Sequence, residues 1–145
     1  VNRVTKGDKY LTFFIGEFCT ETRVLQYVNA GHVPPILMKN GGEIMYLDKG
    51  STVVGAFDEL PFIETGSVEI PGEAVIFNYT DGLTDVRNDD GEDFSEAKLL
   101  AFVRSHAHLP VMDFNKKLLE VVEHFRGQQE LPDDITVLTC KLAAA

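Results

Sequence analysis

The sequence predicts a mixed α/β layered (α+β) fold with a largely antiparallel sheet. Three observations carry that prediction. Up to Tyr79, short runs of β-branched and aromatic residues alternate with turn residues. From Ser95 the apolar residues recur every three or four positions, the period of helices packed on one face. A last apolar run, Ile135 to Leu142, then returns to the strand pattern.

The elements follow in order. Leu11 to Phe18 is apolar on both alternating faces, as a strand covered on two sides would be. Thr20-Glu21-Thr22-Arg23 is a polar turn, and Val24 to Ala30 resumes the strand pattern to complete a hairpin. Pro34-Pro35 ends one strand and Ile36 to Lys39 begins another. Asn40-Gly41 marks a second hairpin, because both residues tolerate positive φ, with Glu43 to Leu47 as the returning strand. A loop containing Gly50 and Gly55 precedes a strand over Phe62 to Ile70. Pro71-Gly72 turns the chain into a buried strand, Ala74 to Tyr79, which ends in Thr80-Asp81-Gly82. Ser95 is the N-cap expected for a helix over Glu96 to Ser105, with Leu99, Leu100, Phe102 and Val103 on its apolar side. In Val111 to Arg126, Phe114, Leu118, Val121, Val122 and Phe125 fall on one stripe of a second helix. Pro132-Asp133-Asp134 leads into the closing strand.

With 145 residues, 44% apolar and 25% charged, the chain suits one ordered domain or a large part of one. The longest wholly apolar run, Leu99 to Val103, is far too short to cross a bilayer. No charged-then-apolar leader opens the chain, so a cytoplasmic location is expected. The formal net charge of -10 disfavours nucleic acid as a partner, because like charges repel the phosphate backbone. Cys19 and Cys140 lack any Cys-x-x-Cys spacing and read as reduced, partly buried thiols. Val1 is not a methionine, and Ala143-Ala144-Ala145 has the look of a cloning remnant. The chain is therefore expected to be cut from something longer, with residues 1–142 as the native portion.

The residues with chemical promise are few. Asp81-Gly82 follows a buried strand and Asp133-Asp134 precedes the last one. Mg²⁺ and Mn²⁺ prefer carboxylate oxygens, and a metal at a sheet edge needs them aimed from separate strands. Taken singly, Asp-Gly after a strand is ordinarily a turn and Asp-Asp before one a solvated cap. In Asn29-Ala30-Gly31-His32-Val33-Pro34-Pro35, a glycine and two prolines stiffen a loop that can present His32 to a cleft, which makes His32 a candidate catalytic residue. Asn88-Asp89-Asp90-Gly91 imitates a calcium loop, but Val86 and Ala97 would occupy its first and last ligand positions, so it reads as a turn. His106 and His108 have no cysteine near them and do not suggest zinc.

Three motifs in this order, Tyr27-Val28-Asn29-Ala30-Gly31-His32-Val33-Pro34-Pro35, Tyr79-Thr80-Asp81-Gly82-Leu83-Thr84-Asp85 and Asp133-Asp134-Ile135-Thr136-Val137, resemble one family. It is the bacterial branch of the metal-dependent protein phosphatases (PPM family). That branch contains the stage II sporulation protein E phosphatase and the environmental phosphatase regulators of stress sigma factors. The Pro71-Gly72-Glu73 turn fits as well, and the resemblance runs from Leu11 onward.

The resemblance implies an antiparallel β-sandwich flanked by helices, with two Mg²⁺ or Mn²⁺ ions between the sheets. Asp81 and Asp133 would be metal ligands, Asp85 would assist a weaker extra ion, and Gly82 and Asp134 would shape the supporting turns. His32 would border the site. The ions would hold and acidify a water that attacks phosphorus in line. The substrate implied is a phosphorylated regulatory protein such as an anti-sigma-factor antagonist, with a sensor or receiver domain upstream in the parent. The family's earlier Asp-x-x-Gly metal motif is absent, since Val1 to Tyr10 holds only Asp8. The chain thus reads as the C-terminal portion of the domain, expected to bind metal weakly and to be close to inactive alone. Uncovered sheet edges imply self-association. The other reading is a phosphatase-like module that binds a regulator without catalysis.

Overall fold

The computed structural model describes residues 9–40 and 42–144. Along the chain run β1 (Phe13–Cys19), β2 (Val24–Ala30), β3 (Ile36–Lys39), β4 (Ile44–Tyr46), β5 (Gly50–Ser51), β6 (Gly66–Glu69) and β7 (Ala74–Tyr79). A 3-10 turn at Asp81–Leu83, α1 (Ser95–His106), α2 (Val111–Arg126) and β8 (Val137–Leu142) follow. The β-rich half and the helical half therefore fall where the change of apolar period puts them.

The strands form two sheets. In the first, β1 and β2 pair as an antiparallel hairpin with Phe13 opposite Ala30. The other edge of β2 is shared between β6, antiparallel to Val24–Tyr27, and β5, parallel to Asn29-Ala30. The second sheet runs β4-β3-β7-β8 and is antiparallel throughout.

Alternation along β7 joins the layers, because successive side chains of a strand point to opposite faces. Phe77 and Tyr79 pack with Phe102, Phe114, Leu118 and Val122 from the helices. Ala74 and Ile76 pack with Leu25, Tyr27, Leu47 and Val68 toward the first sheet. The Phe77 and Phe114 rings meet edge to face at 5.6 Å, and Phe102 meets Phe114 at 5.2 Å. The architecture is sheet, sheet, helices, with β7 in the middle.

Several expectations change. β1 is covered on one face rather than two: Phe13 and Ile15 are 49% and 55% exposed, while Phe14 and Phe18 on the other face pack with Leu25 and Tyr27. The Gly50 loop contains a short parallel strand. The strand expected from Phe62 begins only at Gly66, because the preceding segment is held to β5 by Glu64 N–H to the Gly50 carbonyl and Ser51 Oγ to the Phe62 carbonyl. β8 starts at Val137, two residues later than expected. Ser95 makes no side-chain cap; the entry to α1 is fixed by backbone bonds from Phe94 to Val86 and from Ser95 to Thr84. Both cysteines are free and exposed, not partly buried, since each lies on an edge strand. In the β3–β4 hairpin Gly41 lies outside the described residues, but Gly42 N–H bonds the Lys39 carbonyl and Lys39 N–H the Glu43 carbonyl. Asp8 and the rest of residues 1–8 also lie outside, as does Ala145.

Candidate functional site

β7 and β8 are hydrogen-bonded neighbours, and Tyr79 opposite Val137 ends their ladder. Asp81 lies just past that end of β7 and Asp133 just before that end of β8, so both acidic turns emerge from the same end of one strand pair.

Three hydrogen bonds carry the pairing into the turns. Thr80 N–H donates to the Thr136 carbonyl at 3.1 Å, and Thr136 N–H donates back to Thr80 Oγ1 at 3.0 Å. Thr80 Oγ1 in turn donates to the Asp134 carbonyl at 3.1 Å. Gly82 is buried against the second turn, where a Cβ would stand 2.6 Å from the Asp134 carbonyl oxygen. Only glycine lets the two turns approach this closely. Each carboxylate also holds its own backbone: Asp81 Oδ1 accepts Gly82 N–H at 3.1 Å, and Asp133 Oδ1 accepts Asp134 N–H at 2.7 Å. Thus Asp134 serves its turn through its carbonyl. Asp85 donates its N–H to the Asp81 carbonyl at 3.0 Å, which puts it one 3-10 turn along. Leu83 and Val86, both fully buried, anchor that turn.

The carboxylates of Asp81, Asp85, Asp133 and Asp134 belong to exposed residues. Exposed acids on two adjoining turns make a region of negative potential that favours cations. Their oxygens are the donor type that Mg²⁺ and Mn²⁺ take. Among the described residues, however, no group of three or more His, Cys, Asp or Glu side chains is placed to hold a metal ion. The donor type fits and the donor number falls short.

His32 approaches from the other sheet. Its loop is fixed by reciprocal bonds with buried Asn29: His32 N–H to Asn29 Oδ1 at 2.8 Å, and Asn29 Nδ2 to the His32 carbonyl at 3.0 Å. Gly31 sits at φ +71 with its Cα against Val53, a conformation and a space that suit no side chain. The imidazole Nδ1 lies 3.3 Å from Thr12 Oγ1. Between the sheets, a cavity of about 530 Å³ is bordered by His32 and Thr12 on one wall and by Thr80 and Thr136 on the other, with Phe14 and Leu138 among its apolar lining. The cavity therefore joins the histidine loop to the residues that clamp the acidic turns. Thr80, Thr136 and Thr12 escape sequence reasoning; the visible signal was a threonine beside each acidic turn.

Buried Tyr79 lies directly behind the site, stacked on Phe77. Burial first, and then the Glu96 carboxylate, push its hydroxyl up to about 12. Burial does the same to Tyr46, also to about 12, aided by its hydrogen bond to Glu96.

Comparison with known proteins adds to this geometry. The model of the Stage II sporulation protein E (SpoIIE) family matches residues 1–143. Protein IcfG of Synechocystis sp. is 30% identical over 131 residues, covering 89% of this chain and 20% of IcfG. Phosphoserine phosphatase RsbP of Bacillus subtilis is 26% identical over 125 residues, covering 86% of this chain and 29% of RsbP. The chain thus spans less than a third of the length of these curated relatives. Among solved structures, the SiaA-PP2C domain of Pseudomonas aeruginosa matches with TM-score 0.80 at 18% identity, over 92% of this chain and 52% of that one. The catalytic domain of the serine threonine protein phosphatase PstP, in complex with 2 manganese ions, matches with TM-score 0.63 at 16% identity, over 94% of this chain and 60% of that one. At such identities the likeness is one of fold, and the fold is that of PP2C phosphatase domains.

Proposed function

The chain belongs to the Stage II sporulation protein E (SpoIIE) family, and from that premise we propose that it is the C-terminal portion of a metal-dependent protein serine/threonine phosphatase domain. In the complete protein that domain hydrolyses phosphoserine or phosphothreonine on a regulatory protein, such as an anti-sigma-factor antagonist. The single observation that supports this reading best is the clamp between the two acidic turns, in which Thr80 bonds both Thr136 and Asp134.

In this reading Asp81 and Asp133 are metal ligands and Asp85 assists a further, weaker ion. With the upstream ligands in place, Asp81 and Asp133 would hold Mg²⁺ or Mn²⁺, whose chemistry would be to activate a water and offset phosphoryl charge. The chain's own residues hold the carboxylates at a fixed spacing and form one wall of the cavity from which His32 faces the substrate. The remaining ligands come from a segment upstream, beyond which a sensor or receiver domain lies in the parent. No described helix is long and apolar enough to cross a membrane.

The test uses the parent protein carrying its upstream segment, with Mn²⁺ and a generic aryl phosphate. Phosphate release should fall about a hundredfold or more in Asp81→Asn, which keeps shape and removes charge. The shortage of donors among the described residues favours a second reading, a phosphatase-like module that docks a regulator without turnover. Equal rates for the parent and Asp81→Asn would overturn the catalytic reading and select that module.

A further inference from the structure

The opposite end of the β7–β8 pair carries the opposite charge. A cavity of about 590 Å³ opens there, lined by Lys39, Arg104, His108 and Lys141, with Glu73 the one acidic residue of its lining among the described residues. These cationic residues come from the end of β3, the last turn of α1, the segment after it, and β8. The fold, and not a basic run in the sequence, brings them together.

Composition makes the gathering unexpected. The chain has 23 acidic side chains against 13 Lys and Arg, so a cavity placed without regard to charge would be lined mainly by acids. Here three Lys or Arg face one Glu. Most cations elsewhere are engaged: Arg23 bonds carbonyls, Lys49 pairs with Glu64, Arg87 with Asp93, and Arg126 with Glu123. Around this cavity Lys39 reaches Glu43 only at 3.8 Å, while the side chains of Arg104, His108 and Lys141 form no hydrogen bond or ion pair with another described residue.

We propose that this cavity is a docking groove for an acidic peptide segment of a protein partner. A lone anion such as phosphate would leave most of the volume empty, whereas the volume is in the range that takes a drug-sized ligand, about the bulk of a few peptide residues. Met38, Val75 and Leu142 give the lining an apolar part, and the exposed residues Arg104, His108 and Lys141 rim it, with Lys39 half-buried beside them. That combination matches carboxylates interspersed with apolar side chains, and the positive rim steers such a segment in. The groove lies at the far end of the strand pair from Asp81 and Asp133, so a segment held there leaves the acidic turns open. The inference stands whether or not the domain is catalytic.

The probe is a fluorescein-labelled peptide rich in Glu with interspersed Leu, titrated with the 145-residue chain and followed by fluorescence anisotropy. Binding should saturate and should weaken as salt is raised. Arg104→Glu with Lys141→Glu should weaken it at least about tenfold. Lys116→Glu with Lys117→Glu, the same charge change on α2, should alter it by less than about twofold. The milder Arg104→Gln with Lys141→Gln gives an intermediate loss and covers any folding defect, which circular dichroism detects. Absence of saturable binding overturns the proposal. So does an equal loss in the α2 variant, which would make net charge the cause, or displacement of the peptide by equimolar inorganic phosphate, which would make the site one for a free anion.

Discussion

β1 and β7 invite comparison, because by composition β1 is the more obvious core strand. Phe13-Phe14-Ile15-Gly16-Glu17-Phe18-Cys19 holds three phenylalanines, whereas Ala74-Val75-Ile76-Phe77-Asn78-Tyr79 holds one and an asparagine. Yet β7 is buried on both faces and β1 has no fully buried residue. The difference lies in neighbours. β7 has β3 and β8 on its edges, the helices on one face and the first sheet on the other. Among the described residues β1 pairs with β2 alone. Burial is thus a property of place in the layers, and apolar composition only qualifies a strand for it.

The comparison can be broken hardest at the cover over β7. Phe114 is fully buried between Phe77 and Phe102, so Phe114→Ala should cost about 3–5 kcal/mol, read by chemical denaturation. A loss under about 1 kcal/mol would mean that the helices do not cover the strand as described. A smaller effect comes through pH. Tyr79 and Tyr46 are pushed up to about 12, so the fold favours their neutral hydroxyls. That contribution is complete below the ordinary tyrosine value of about 10 and is lost as pH rises through about 12. The denaturation midpoint should hold steady to about pH 10 and then fall, and Tyr46→Phe with Tyr79→Phe should flatten the fall. The smallest effect on stability belongs to β1. Ile15→Lys should change stability by no more than about 0.5 kcal/mol, because the side chain is already mostly in water. Its consequence should appear in light scattering: we expect the wild-type chain to self-associate through β1, whose second edge has no partner among the described residues, and the lysine to shift it toward monomer. An unchanged mass would locate any association elsewhere.

Much of this was legible from residues alone. β2, β3, β7 and α2 lie where β-branched runs, the paired prolines and the three-and-four spacing put them. What local pattern could not supply was neighbourhood. Nothing in Leu11 to Phe18 says that its second edge lacks a partner among the described residues, and nothing in Phe62 to Thr65 says that β5 will hold it away from β2. The same limit governs the acidic turns. Asp81 and Asp133 are visible as acids at strand ends, but that those ends adjoin depends on a pairing between residues more than fifty positions apart. The part played by Thr80 and Thr136 is invisible locally for the same reason, since it exists only once the two turns meet. The basic groove is a further case, assembled from four separate segments.

The bond from Thr136 N–H to Thr80 Oγ1 has one more implication. The separation of the two acids is metered by a ruler of antiparallel hydrogen bonds that starts at Ala74 and Leu142 and runs to this last rung. Slipping that ruler by two residues would carry one acid about 7 Å past the other. By contrast, the stretch from Gly127 to Pro132 that brings the chain back from α2 sets no distance at all. Its own tie lies elsewhere, with Gln129 Nε2 donating to Asp89 Oδ1 at 2.9 Å, so a change in its length would strain that contact before it touched the gap between the acids.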